Sequence, residues 1–443
     1  MSEHNRDQFQ SRWGFIMSCI GSAVGMGNIW LFPTRVSAYG GGTYIIPYLI
    51  CVMLLGYSGI IGEIGLGRST RNGSVGAFGK ALASRGHDKK LGNTIGLLPV
   101  VSSLLLAIGY TVVTGWIFKY WIGTFTGSTI GHSDIDGFGG AFGATASPFG
   151  NTIFQIIAAV IVFTILTAGI ANGIEKTNKF MMPAFYLLFI GLGIYVFFQP
   201  GSEAGYSYIF RLDIARMFTP EVWIFALGQA FFSLSLGGSG TVIYGSYFSD
   251  AEDVIGTAKT IAFFDTLAAL TASLVIIPAM ATAGLALDTG GPGLMFVSLP
   301  HLFSGMPGGG VVAIVFFTAV MFAAITSLIN LYELPIATLQ EVFNFTRAKA
   351  VVAIALVGIA VSLVIQGIVG EWMDVVSIYI NPLGALLAGI MFYWVFGMDY
   401  AKNELSKGRE KPIGNWLDIL GKYAFVGITI FVYIAGIMLG GIG

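Results

Sequence analysis

A carboxylate, Asp265, and an amide, Asn28, stand inside long apolar stretches of a 443-residue chain, and hydroxyls at Ser233, Thr326 and Ser327 stand in the same kind of surroundings. On insertion scales a carboxylate deep in such a stretch costs roughly 2.5–3.5 kcal/mol, so a partner is expected for Asp265. A hydroxyl within a helix often bonds back to its own backbone, and that reading stays open for each serine and threonine. The chain is also twice interrupted by glycine, at Ser22-Ala23-Val24-Gly25-Met26-Gly27-Asn28 and at Ser235-Leu236-Gly237-Gly238-Ser239-Gly240. A helix broken in mid-membrane frees carbonyls on one side and N–H groups on the other, each end carrying about half a charge. The N–H end suits a carboxylate. The carbonyl end suits an ammonium or a small hard cation. Two crossed broken helices therefore offer both poles of a zwitterionic amino acid. Close helix packing at glycine-rich patches is the alternative that stands beside this one.

Nothing in the pattern calls for covalent chemistry. No nucleotide-binding Gly-Lys motif occurs, and the four histidines (His4, His87, His132, His301) are terminal or in loops rather than in a metal-type cluster. An enzyme and an ATP-driven pump are therefore not expected. The two cysteines, Cys19 and Cys51, fall in apolar stretches, where they read as core filling rather than as a disulfide framework.

Composition says what must position these residues. Apolar residues make up 55% of the chain and charged residues 10%, whereas ordinary soluble domains run roughly 45–50% and about 25%. That excludes a soluble enzyme, a secreted disulfide scaffold and a disordered chain. Continuous apolar runs of about 20 residues also exclude an outer-membrane barrel. The expected fold is an all-α polytopic membrane protein. Eleven spans are read at about 13–37, 43–70, 92–124, 152–170, 174–199, 220–248, 256–284, 311–343, 349–368, 373–397 and 420–441. The glycine interruptions fall in spans 1 and 6, which start the two halves of a five-plus-five arrangement. The whole chain is then one transporter domain, with a first repeat at about 13–199, a second at about 220–397 and an extra helix at about 420–441. Paired interruptions of this kind point to a transporter's site.

With the N-terminus in the cytoplasm, 18 of the 22 Lys and Arg residues fall on the inside, and only Arg35, Lys119, Arg211 and Arg216 fall outside. The bias places the N-terminus in the cytoplasm and the C-terminal end outside. No cleavable signal peptide is visible. The outer loops 125–151 and 285–310 are rich in Gly, Ser and Pro and could pack over a vestibule.

At these residues the chain resembles the neurotransmitter:sodium symporter family, in its bacterial leucine-transporter-like branch. The resemblance is carried by Gly21-Ser22-Ala23-Val24-Gly25-Met26-Gly27-Asn28-Ile29-Trp30-Leu31-Phe32-Pro33, by Gly40-Gly41-Gly42 and Pro47-Tyr48, and by Gly228-Gln229-Ala230-Phe231-Phe232-Ser233-Leu234-Ser235-Leu236-Gly237. It covers nearly the whole chain. Most members have twelve spans, and eleven are expected here.

The resemblance implies a sodium-coupled symporter with two sodium sites, working by alternating access in a cell membrane of bacterial type. At the first site the family pattern falls on the Ala23 carbonyl, Asn28, Ser233 and Asp265, with the substrate carboxylate completing the shell. At the second it falls on the carbonyls of Gly21, Val24 and Ala323 and the hydroxyls of Thr326 and Ser327. Tyr110 matches the tyrosine that holds the substrate carboxylate, and Phe232 matches the aromatic lid above it. Gly25, Gly27, Leu106, Ser235 and Gly238 fall around the substrate. At the inner gate Arg6 and Glu341 match an ion pair, with Tyr247 bracing it. Neither a protein partner nor a nucleic acid is implied; the partners are a small substrate and the lipid bilayer.

Four departures from the family pattern carry information. Gly25 stands where amine-transporting relatives have an aspartate, which implies an amino acid as substrate. Gly238 replaces a bulky aromatic, which implies acceptance of Trp, Tyr and Phe besides Leu and Ile, unless this glycine only supplies an unwound turn. Asp265 stands where chloride-dependent relatives have asparagine, which implies that chloride is not required. Leu31 replaces the arginine of the outer gate, although Asp374 still matches its acidic partner; closure by Tyr110 and Phe232 is the candidate left.

Span 5 holds Gly173 and Pro183, and its inner end is expected to unwind easily. An ordinary helix start is the plainer reading. Glu63, close to Arg68, could be a functional carboxylate or could snorkel to the interface. The rivals to a sodium symporter are a proton-coupled permease of the same fold with Asp265 as carrier, an ion channel, and a non-transporting amino-acid receptor.

Overall fold

The computed structural model describes residues 8–237, 239–284 and 292–442, and every regular element among them is a helix. The elements that build the site are α1 (Arg12–Ala23), α2 (Gly27–Tyr39), α3 (Gly42–Thr70), α4 (Lys89–Thr126), α5 (Thr152–Thr167), α6 (Ile170–Phe197), α7 (Pro220–Ser233), α8 (Gly240–Ser246), α9 (Val254–Thr282), α10 (Gly309–Phe343), α11 (Arg347–Val364), α12 (Gln366–Phe396) and α13 (Asp418–Leu439). Eight of these are long and apolar enough to cross a membrane, and the bent pair α1 and α2 makes a ninth. Two of the eleven expected spans are of a different kind: α5 is a short helix of 16 residues, and α7 with α8 is a pair of shorter pieces. The count of eleven depends on reading those two as crossings.

Local chemistry explains the breaks. α1 starts on Ser11, whose hydroxyl accepts from Gly14 N at 3.0 Å. It ends where Val24 turns to an extended backbone (φ −72°, ψ 108°), and α2 leaves at 58° to it. The second break runs through Ser235 (φ 52°), Gly237 (φ 117°) and Ser239 (φ 51°), all in the left-handed region that ends a helix.

Around the breaks, α10 packs along α4, α6 and α1, while α8 lies against α3 and α9 against α2. The small helices Ile135–Ala146 and Leu294–Gly305, in the connections after α4 and α9, meet through Phe142 stacked on Phe296 at 5.0 Å. Phe296 in turn contacts Trp30, Trp116 and Tyr120. The two connections thus pack together against Trp30, Trp116 and Tyr120, and residues 285–291 lie outside the described residues.

Candidate functional site

The first break draws three distant helices together. Asn28 Nδ2 donates to Asp265 Oδ1 at 2.8 Å, to Ser233 Oγ at 3.0 Å and to the Asp265 carbonyl at 3.1 Å. Ser233 Oγ donates to Asp265 Oδ2 at 2.8 Å, and Gly25 N donates to Asn28 Oδ1 at 3.1 Å. Asn28, Ser233 and Asp265 are all buried. The Asp265 carboxylate therefore has the partner that its depth requires, and that partner is a pair of neutral groups. A half-turn of the Asn28 amide would present Oδ1 to the same oxygens, giving an all-oxygen nest of the type that small hard cations take.

The second cluster lies beneath the same break. Ser327 Oγ donates to the carbonyls of Gly21 at 3.2 Å and Val24 at 3.0 Å, both freed where α1 ends. Thr326 Oγ1 lies 3.1 Å from the Ala323 carbonyl and 3.0 Å from that of Phe322. The back-bonding reading thus holds for Thr326, whereas Ser327 reaches across to another helix. All five residues of the second expected set are brought together, with three carbonyls and two hydroxyls in one place.

Between the breaks lies a cavity of about 350 Å³. Ala23, Gly25, Gly27, Leu106, Tyr110, Phe232, Ser233, Ser235 and Ser327 all line it, and it extends outward past Leu31 and Trp116 to exposed Asp374 and Pro292. Gly238, the remaining expected pocket residue, lies outside the described residues. Met26 N donates to the Tyr110 hydroxyl oxygen at 3.2 Å. A Cβ at Gly25 would come within 2.9 Å of Ser327 Oγ and 3.1 Å of the Tyr110 hydroxyl, so a side chain there would fill the end of the cavity. Phe232 lies over Gly27, 3.0 Å from where a Cβ would stand. The arrangement can hold a small molecule with its polar end at the first break and its apolar body against Leu106 and Phe232.

The model of the sodium:neurotransmitter symporter family matches residues 6–132 and 143–439. The chain belongs to that family. A sodium-dependent transporter of Haemophilus influenzae, uncharacterised, is 33% identical over 377 residues, 84% of this chain and 82% of that one. Another, from Methanocaldococcus jannaschii, is 29% identical over 436 residues, 94% of this chain and 87% of that one. Among solved structures, the transporter MhsT in complex with L-phenylalanine superposes with a TM-score of 0.85 at 29% identity, covering 97% of this chain and 100% of MhsT.

In this symporter the end opposite Asp374 is laced with ion pairs. Arg71 pairs with Asp250 at 2.5 Å, Arg409 with Asp253 at 2.9 Å and Arg347 with Glu333 at 2.8 Å. Tyr247, expected to brace the pair of Arg6 and Glu341, donates to Glu333 Oε1 at 2.9 Å. Glu333 lies two turns from Glu341 along α10 and is wholly buried, and it is met by both Arg347 and this hydroxyl. Glu341 accepts from Gly73 N at 2.9 Å, and Arg6 lies outside the described residues. At the other end Leu31 and Asp374 both line the cavity, so the acidic residue persists there without its family arginine.

The N-terminal end of α6 is wound. Ile170–Glu175 forms a π-helical turn that runs straight into Lys176–Phe197, with Pro183 inside the helix. Gly173 sits in that turn, where a Cβ would overlap the Ile165 carbonyl. Turns of this kind are weak points that recur at functional sites.

Glu63 does not snorkel. It is buried and accepts from Gly237 N at 3.3 Å and from the Thr241 hydroxyl, pinning the second break to α3. Arg68 turns away from it to Glu404 at 2.7 Å. Sequence reasoning missed Gln229, whose Nε2 donates to the Gly27 carbonyl at 3.0 Å, and Asn330, whose Nδ2 reaches the Gly240 carbonyl at 3.4 Å. Each ties one break to another helix. Both are amides in apolar stretches, and that was the signal available.

Proposed function

We propose that this protein is a sodium-coupled symporter that imports hydrophobic L-amino acids, leucine, isoleucine and the aromatic Trp, Tyr and Phe, by alternating access. The observation that carries the reading is the pairing of two oxygen clusters with one cavity at the helix breaks. The likeness to MhsT, solved with L-phenylalanine, supports the substrate class. In this reading the ammonium sits against the freed carbonyls. The carboxylate occupies the space beside Gly25 that a side chain would fill, held by Tyr110. The side chain lies along Leu106, Phe232 and Ser235, with Gly238 widening the pocket.

The first sodium is held by the Ala23 carbonyl, Asn28, Ser233 and Asp265 and touches the substrate carboxylate, so each raises the affinity of the other by the same factor. The second is held by the carbonyls of Gly21, Val24 and Ala323 and the hydroxyls of Thr326 and Ser327. Asp265 supplies the negative charge that removes any need for chloride. Tyr110 and Phe232 close the outer side, and the ion-paired end is the cytoplasmic one, with the N-terminus inside and the C-terminal end outside. The two halves at about 13–199 and 220–397 form the repeats, with α13 added.

A second reading has its own observation. A wholly buried carboxylate bonded to neutral partners also suits a proton carrier, which would make the protein a proton-coupled permease. Uptake of radiolabelled leucine and tryptophan into proteoliposomes separates the two. Uptake driven by an inward sodium gradient, with each amino acid inhibiting the other, is expected. Uptake driven by a pH gradient without sodium would discard both sodium sites. Binding without uptake under either gradient would turn the reading to a receptor.

A further inference from the structure

α6 ends at Phe197, and the chain turns into a short helix, Ser202–Ile209, on its way to α7. The two helices enclose an open groove of about 620 Å³. Phe197 and Phe198 line one side of it, their rings edge to face at 5.3 Å, and Tyr206 meets Phe197 at 5.6 Å. Glu203, Tyr206, Ser207 and Phe210 stand at i, i+3, i+4 and i+7, so they share one helix face, and all four line the groove. The buried face of the short helix is pressed on α9, where a Cβ on Gly205 would come 2.4 Å from Pro278 Cα. That seating turns the aromatic face toward the groove. Among the described residues no lysine or arginine lines the groove, Glu203 has no ion pair, and the Tyr206 and Ser207 hydroxyls have no hydrogen-bond partner. A second observation comes from α6 itself. Leu187, Ile190, Ile194 and Phe197 are exposed and follow at steps of three or four, so an apolar stripe runs along this spanning helix into the groove. Acyl chains lie along such a stripe. At its end stands an unpaired carboxylate among ring faces, and both attract an ammonium.

We propose that this groove is a lipid site that takes the headgroup of a phospholipid bearing a primary ammonium, of the phosphatidylethanolamine type. The ammonium sits against Glu203 and the faces of Phe197, Tyr206 and Phe210. The phosphate accepts from the Tyr206 and Ser207 hydroxyls, and one acyl chain follows the stripe down α6. A quaternary ammonium keeps the attraction of the rings but has no N–H to give the carboxylate. An anionic headgroup meets the like charge of Glu203. The order of preference is therefore primary ammonium, quaternary ammonium, anion. Occupancy ties the connection between α6 and α7 to the membrane surface. The inference goes beyond the symport reading and does not depend on it.

The test is native mass spectrometry of the purified full chain in detergent, titrated separately with phosphatidylethanolamine, phosphatidylcholine and phosphatidylglycerol of identical acyl chains. The readout is the concentration at which half the protein carries one lipid. Wild type is expected to fill first with phosphatidylethanolamine and last with phosphatidylglycerol. Glu203→Gln is expected to raise the phosphatidylethanolamine midpoint on the order of fivefold. Glu203→Lys is expected to invert the order, with phosphatidylglycerol bound first, which the loss of a merely structural charge would not do. Should either substitution fail to fold, Tyr206→Leu, which removes a ring and a hydroxyl, is expected to raise the phosphatidylethanolamine midpoint as well. Equal midpoints for the three lipids in wild type would overturn the proposal. A wild-type preference that survives in the Glu203 and Tyr206 variants would also overturn it, and would leave Glu203 as a charge in the first turn of its short helix. Displacement of the lipid by water-soluble phosphoethanolamine at equal concentration would overturn the lipid assignment, since the acyl stripe would then contribute nothing. None of these outcomes touches sodium or amino-acid binding, so failure here leaves the symport reading standing.

Discussion

Asn28 Nδ2 lies 2.8 Å from Asp265 Oδ1, and these residues belong to helices 237 positions apart in the chain. Neither is charged-paired with lysine or arginine within this network; the Asp265 carboxylate is held by an amide and the Ser233 hydroxyl. A negative charge with neutral partners in lipid attracts a cation.

Asp265→Asn removes that charge and leaves the size almost unchanged. Wild-type uptake is expected to be the same in sodium gluconate and sodium chloride. In the variant, the sodium concentration for half-maximal uptake in gluconate is expected to rise on the order of tenfold. Chloride stimulation of the wild type would refute the idea that Asp265 replaces the anion.

Gly25 has room for no side chain, since a Cβ would stand 2.9 Å from Ser327 Oγ and 3.1 Å from the Tyr110 hydroxyl. Overpacking of this degree costs about 1–3 kcal/mol. Gly25→Ala is therefore expected to weaken leucine binding by roughly fivefold to 150-fold. Equilibrium binding at saturating sodium is the measurement, and undiminished affinity would place the carboxylate elsewhere.

Pro183 interrupts the ladder of α6 one helical stretch above the π-helical turn. Pro183→Ala restores one backbone hydrogen bond, worth about 1 kcal/mol net. If unwinding of this end limits the cycle, turnover falls roughly fivefold. Leucine binding in sodium is expected to stay nearly unchanged. Comparing initial uptake rates with binding affinity on the same preparation checks both halves, and equal turnover in the two proteins counts against the idea.

Glu63 holds the second break through Gly237 N and the Thr241 hydroxyl. Glu63→Met keeps the length of the side chain but removes both acceptors, leaving the Gly237 N–H and the Thr241 hydroxyl without this partner, at a cost of about 1–3 kcal/mol. Heated samples should lose leucine binding at a lower temperature, with the sodium dependence of the remaining binding unaltered. A melting temperature equal to that of the wild type would show that the break is held by other contacts.

Much of the architecture is legible in the sequence, because lipid imposes few choices. Apolar runs long enough to cross must be helices, and glycine clusters within them mark where the ladder can fail. The interruptions at Val24–Gly25 and at Ser235–Ser239 are readable for that reason. A polar side chain in such a run needs a partner, so Asp265 calls for one, whereas its meeting with Asn28 and Ser233 is implied only by the family resemblance. What misleads is the choice of partner. Arg68 follows Glu63 by little more than a helical turn in the chain, yet it pairs with Glu404. Charges find partners through space, and helix packing sets that space.

The sequence by itself determined that this chain lives in a membrane, where its helices break and which side chains are too polar to stand alone there. Tertiary structure alone decided which carbonyl each hydroxyl faces, that Glu63 serves the second break, and that the aromatic end of α6 shares a groove with Glu203. The first kind of fact follows from solvation, which acts on each residue where it stands. The second follows from packing, which depends on how every helix is turned about its own axis, and no local pattern encodes that rotation.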